Sequence, residues 1–107
     1  SMGAASGIVY LSGGNFHQIC FAINNMINTI TGMVCDGAKP SCALKIATAL
    51  NSAFDSTLLA MNNVVVNPTD GIAETDIDCS INDLGKIGRE SMNATDDMIL
   101  EIMTNKK

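Results

Sequence analysis

Tryptophan is absent from this chain, and one tyrosine and three phenylalanines are its only aromatic residues. With so little aromatic bulk, any core must be aliphatic, drawn from Ile, Leu, Val, Ala and the seven methionines. Charge is scarce as well: six Lys and Arg stand against eleven Asp and Glu, for a net charge of −5. An acidic chain lacks the basic face that a phosphate backbone requires, which argues against a nucleic-acid partner. The one basic pair, Lys106-Lys107, is terminal and reads as a solvated tail. No apolar run reaches the ~18 residues expected of a membrane-spanning helix. The start lacks the charged region and long apolar run of a secretory signal. A single histidine, His17, leaves a closed zinc site short of its usual ligands and reads as an exposed first-turn residue. The sequon Asn93-Ala94-Thr95 matters only in a secreted chain and is otherwise a helix-capping sequence. Four cysteines amid 47% apolar residues do not resemble a small disulfide-stapled scaffold. A reduced, cytoplasmic setting is the expectation.

What remains is a chain of 107 residues, enough for one domain with a modest core. The pattern is helical throughout. Gly3 to Leu11 reads as the end of a buried helix, stopped by Gly13-Gly14. Such a segment seldom opens a domain, so the chain is expected to be a piece of a longer protein. Asn15 caps a second helix running to about Ile30, with Phe16, Cys20, Ile23, Ile27 and Ile30 as its apolar stripe. After a turn from Gly32 to Lys39, a third helix is expected from Pro40 to about Asn62. Its core face is Ala43, Leu44, Ala47, Leu50, Phe54, Leu58 and Met61, and its wide apolar surface puts it in the centre. Val64-Val65-Val66 reads as an extended connection. A fourth helix from Thr75 turns Ile77, Ile81, Leu84 and Ile87 inward, with Gly85 and Gly88 leaving a groove for another backbone. Thr95 caps a last helix from Asp96 to about Asn105, with Met98, Ile99, Ile102 and Met103 inward. Its acids at the start and Lys106 and Lys107 past the end suit the helix dipole. The fold class is all-α, a compact bundle of four to five helices, expected to be a fragment of a larger all-helical catalytic domain.

The run Cys35-Asp36-Gly37-Ala38-Lys39-Pro40-Ser41-Cys42-Ala43-Leu44-Lys45 carries the most chemistry. It sets one thiol in a Gly- and Pro-built turn and the other in the first turn of a helix. A helix N-terminus favours a thiolate, the form that ligates metal. Gly37 lets the backbone turn back so that Cys35 approaches Cys42. Two soft ligands there make a half-site for iron–sulfur or zinc, not a whole one. The spacing matches no common zinc pattern. Free cysteine is also among the most buried residue types, so the pair reads equally as two packed thiols.

The string from Gly32 to Lys45, GMVCDGAKPSCALK, resembles the cysteine desulfidase family, also known as UPF0597 and allied to the alpha chain of bacterial iron–sulfur L-serine dehydratase. Ile8 to Gly14 and the tail from Thr69 to Met103 are similar to the same proteins, so the resemblance covers nearly the whole chain as their C-terminal part. It implies an all-helical catalytic domain holding a 4Fe–4S cluster on three cysteines, with one iron open to substrate. Cys35 and Cys42 match two of the three ligands. The resemblance places the third ligand, the catalytic base and much of the substrate pocket upstream of Ser1. The fragment alone is then expected to be inactive. It implies a small amino-acid substrate, cysteine or serine, lost by elimination to pyruvate and ammonia. Serine enzymes space this cysteine pair more widely, which favours the desulfidase branch. The implied partners are the remaining N-terminal part of the parent and a second copy in a homo-oligomer, with oxygen sensitivity following from an open iron.

Other residues are weighed beside this pair. Asp36 and Lys39 either orient the turn or meet the substrate carboxylate. Gly13, Gly14 and Asn15 either end the first helix or present free N–H groups to a carboxylate. Cys20 sits on an apolar stripe and reads as a core thiol rather than a substitute ligand. Cys79 suggests no role, and the acids of the last two helices read as solvated faces. A non-enzymatic helical module remains the alternative to a lyase.

Overall fold

The computed structural model describes residues 1–37 and 39–106; Ala38 of the turn, and Lys107 with its expected place at the helix dipole, lie outside the described residues. Five helices follow in order: α1 (Met2–Leu11), α2 (Phe16–Ile30), α3 (Cys42–Met61), α4 (Ile77–Glu90) and α5 (Met92–Thr104). The all-α class is as expected, and there is no strand among the described residues.

The α1–α2 corner is built by three consecutive residues. Gly13 takes a positive φ of 84°, a conformation that side chains disfavour. A Cβ on Gly14 would sit 2.3 Å from Val9 Cγ1 and 2.9 Å from Val9 O, so only glycine fits there. Asn15 then caps α2 in a reciprocal box: its Oδ1 accepts from Gln18 N at 2.9 Å, while its own N–H donates to Gln18 Oε1 at 3.0 Å. The Gln18 amide also donates from Nε2 to Met61 O at 3.4 Å and to Asn63 Oδ1 at 3.3 Å, tying the start of α2 to the end of α3.

α2, not α3, is the central helix, packing against α1, α3 and α4. The core cluster is Ala5, Val9, Ala22, Met26, Ala53 and Ala60, where alanines let the three backbones approach closely. Two further corrections follow. On α2 the buried residues are Ala22, Asn24, Asn25, Met26 and Ile27, while Phe16, placed on the core stripe, is 72% exposed. On α3 the buried face is Ala53, Ser56, Thr57 and Ala60. Most of the expected core face lies outside it: Ala43, Leu44, Ala47, Leu50, Phe54 and Leu58 are exposed, while Met61 is half-buried and packs against the core cluster. Pro40 precedes α3, and Ser41 stands at its N-cap.

The connection from Val64 to Val66 forms neither strand nor helix, and Asn25 grips it at two points. Its Nδ2 donates to Val64 O at 3.1 Å, and its Oδ1 accepts from Val66 N at 2.9 Å. Asp76 caps α4 by accepting from Asp78 N at 2.9 Å, and buried Ser80 binds the Glu74 backbone. Ile77, Leu84 and Ile87 are half-buried, but Ile81 is exposed. Gly85 and Gly88 face open space, so no backbone fills the groove expected there. α5 starts at Met92, with Thr95 inside it, and packs on α4 alone among the helices; it buries no residue fully. Of its expected inward residues Ile99 is half-buried, whereas Met98, Ile102 and Met103 are exposed.

Candidate functional site

Between α2 and α3 the chain doubles back through the cysteine turn. Gly37 has φ of 101°, reversing the backbone where the sequence required it. Cys42 is the first residue of α3, and its thiol donates to Gly37 O at 3.2 Å. This contact folds the turn onto the start of α3. Cys35 is exposed and Cys42 half-buried, and both are free thiols.

Asp36 is the electrostatic centre of the turn. Its Oδ1 accepts from Lys45 Nζ at 2.7 Å, and its Oδ2 pairs with Lys39, whose Nζ also reaches Asp36 O at 3.3 Å. The Lys39 and Lys45 hydrogen bonds hold the Asp36 carboxyl well below the usual carboxylate range. The Asp36 hydrogen bond in turn raises Lys45, opposed by a smaller lowering from burial. Lys45 closes the run that begins at Cys35, but the sequence pattern assigns it no role. The available signal was its position three residues after Cys42, on the same side of the first helical turn.

A second neglected neighbour is α5. An open cavity of about 320 Å³ lies beside Cys35, lined by Gly37, Asp96, Ile99, Leu100 and Met103. Met103 is so close to Gly37 that a Cβ there would meet its Cε at 3.0 Å and its Sδ at 3.1 Å. No local pattern announces a contact between residues this far apart in the chain.

The other weighed residues fall elsewhere. The Gly13, Gly14 and Asn15 N–H groups are already engaged, donating to Tyr10 O, Val9 O and Gln18 Oε1. They close the α1–α2 corner. Burial raises the Cys20 thiol, with further pushes from Asp78 and Asp76. Cys79 is raised chiefly by Asp76. Both of these thiols are held in the protonated form, the poorer ligand. Among the described residues no group of three or more His, Cys, Asp or Glu is placed to hold a metal ion. No described helix is long and apolar enough to cross a membrane.

Comparison with known proteins places the chain in a family. The model of the serine dehydratase alpha chain family matches residues 1–101, and the chain belongs to that family. Among its relatives, a UPF0597 protein of Porphyromonas gingivalis is 54% identical over 105 residues, 98% of this chain and 24% of the relative. One from Bacteroides thetaiotaomicron is 50% identical over 104 residues, 97% of this chain and 24% of the relative. Another, from Fusobacterium nucleatum, is 44% identical over 102 residues, 95% of this chain and again 24% of the relative. The chain thus spans about a quarter of the length of the curated relatives it matches. No solved structure matches it.

Proposed function

We propose that residues 1–107 form the C-terminal, cluster-ligating part of an iron–sulfur-dependent amino-acid lyase, of the L-cysteine desulfidase kind. The supporting observation is the turn itself, where the Cys42 thiol reaches back to Gly37 O and Lys45 bonds the carboxylate beside Cys35. Thiolates are the donors that iron–sulfur clusters take, and a nearby ammonium offsets their negative charge. The fit is partial. Cys35 and Cys42 would hold two positions of a 4Fe–4S cluster, and a third cysteine must come from the rest of the parent. When bound, such a group supplies a Lewis acid for the departing sulfur or oxygen.

The chain's own residues then do the positioning. Asp36, clamped by Lys39 and Lys45, fixes the turn that carries both thiols. Lys39 and Lys45 also offer positive charge to a substrate carboxylate. In the overall reaction the Cα–H bond of cysteine gives its proton to a base, and its electrons form the Cα–Cβ double bond. The Cβ–S electrons leave with sulfur as sulfide. The resulting aminoacrylate takes up water and yields pyruvate and ammonia. The base lies in the remainder of the parent, so the fragment alone does not turn over. The compartment is reducing and cytoplasmic.

L-serine dehydratase is the second reading, favoured by the family to which the chain belongs. Anaerobic reconstitution of the full-length protein with iron and sulfide tests the proposal. The expected result is a brown chromophore lost in Cys35→Ser or Cys42→Ser. Its absence, with unchanged stability in both variants, would leave a non-enzymatic helical module. Sulfide release from cysteine, against pyruvate formation from serine, separates the two lyase readings.

A further inference from the structure

The inside and outside of this bundle are inverted in size. The largest fully buried side chains are Met26, Ile27, Val9 and Ser80, and alanines make up all the rest of the buried apolar set. Leu50, Phe54 and Leu58 are meanwhile 47%, 55% and 67% exposed. Spaced four apart, they share one face of α3 and run along about 12 Å of it. At the N-terminal end of that helix an apolar groove of about 360 Å³ opens between α1 and α3, lined by Ser1, Ala4, Lys45, Ile46, Ala49 and Leu50.

The chain as a whole exposes more surface than its mass requires. The chain exposes 7041 Å² at a mass of 11.2 kDa. A folded monomer of that mass exposes about 5,700 Å². The difference, roughly 1,300 Å², exceeds the ~800 Å² that one partner contributes to a standard stable interface. The elongated shape, 51 × 27 × 16 Å, spreads that excess over the whole chain, and the large apolar side chains aligned on α3 are the part of it that marks an interaction surface.

We propose that the α1–α3 face is the seat of the remaining polypeptide of the full-length parent, packed through apolar segments onto Leu50, Phe54 and Leu58. The relatives choose this occupant over a second copy: they carry about three quarters of their length outside the matched stretch, ample to cover the face. Covalent attachment gives such a segment an effective concentration near the millimolar range, which a free second copy lacks. Lys45 stands both in the groove and against Asp36, so the seated segment also reaches the cysteine turn. The inference rests on family membership and not on the lyase reading, and its test reads burial, not iron or turnover.

Hydroxyl-radical footprinting with mass spectrometry tests it. The 107-residue chain is compared with a full-length protein in which this sequence replaces the matched stretch of the Porphyromonas gingivalis relative. At equal radical dose, oxidation of Phe54 and Leu50 is expected to fall about fivefold in the full-length protein, as burial under an interface requires. Equal oxidation in both overturns the proposal. So does protection in the short chain that rises with its concentration and tracks a dimer mass in light scattering. In the short chain, the double variant Leu50→Lys/Phe54→Lys is expected to keep its helical circular dichroism and a melting midpoint within about 3 °C. Loss of helicity there would also overturn the proposal, since it would mean these side chains already pack inside.

Discussion

Lys45 Nζ lies 2.7 Å from Asp36 Oδ1, joining the first turn of α3 to the residue beside Cys35. The pair is a positional device more than a source of stability, because both side chains are substantially solvent-exposed. Its value lies in where it holds the turn.

Lys45→Met should therefore loosen the turn without unfolding the bundle. Amide exchange of residues 32–37 is expected to quicken about tenfold, with the helices still protected. The acid response follows from the depressed Asp36 carboxyl. A lowered folded-state value contributes stability above the ordinary carboxylate range and loses it as pH falls through that lowered value. In the parent sequence the turn should stay protected at about pH 4 and open only in stronger acid.

Cys79 is exposed yet raised, chiefly by the charge on Asp76. Asp76→Asn removes that charge and keeps a good N-cap for α4. More of the Cys79 thiol then ionises at a given pH. Alkylation of Cys79 by iodoacetamide at about pH 8 should speed up a few-fold, read by peptide mass spectrometry.

Gly14→Ala places a methyl group against Val9 and the sulfur of Met61, 3.1 Å away. The expected loss is about 1–3 kcal/mol in thermal or denaturant unfolding. Gly3→Ala, on α1 with nothing within 4 Å, is the contrast. It should stabilise by about 0.5–1 kcal/mol through helix propensity.

Asn25→Ala removes both bonds to the Val64–Val66 connection from a residue 3% exposed. Leaving the partner groups unmatched should cost about 1–3 kcal/mol. Faster amide exchange at Val66 would show that the loss is local to that grip.

The sequence made the helices legible, but not their orientation. Asn15 and Gln18 announce the start of α2 because capping is a local hydrogen-bond pattern. Gly37 announces the turn for a similarly local reason. α3 misleads because size and hydropathy argue for burying Leu50, Phe54 and Leu58, whereas close helix packing selected Ala53, Ser56, Thr57 and Ala60. That choice depends on neighbouring helices, which the pattern of one helix does not reveal. Thr95 misled in the same way: it has a capping side chain, but α5 begins earlier, directly after α4. At the site, the two cysteines and Asp36 were readable as a motif. Lys45 required the turn in three dimensions, and Met103 required the last helix to return to Gly37.

Both ends of the Gln18 amide are occupied, one by the Asn15 N–H and the other by oxygens of Met61 and Asn63. Glutamate serves a capping box as well as glutamine does. Here it would aim a negative oxygen at two others and set helix initiation against the arrival of α3. A neutral donor at position 18 makes the two events agree, so one side chain couples the birth of one helix to the docking of another.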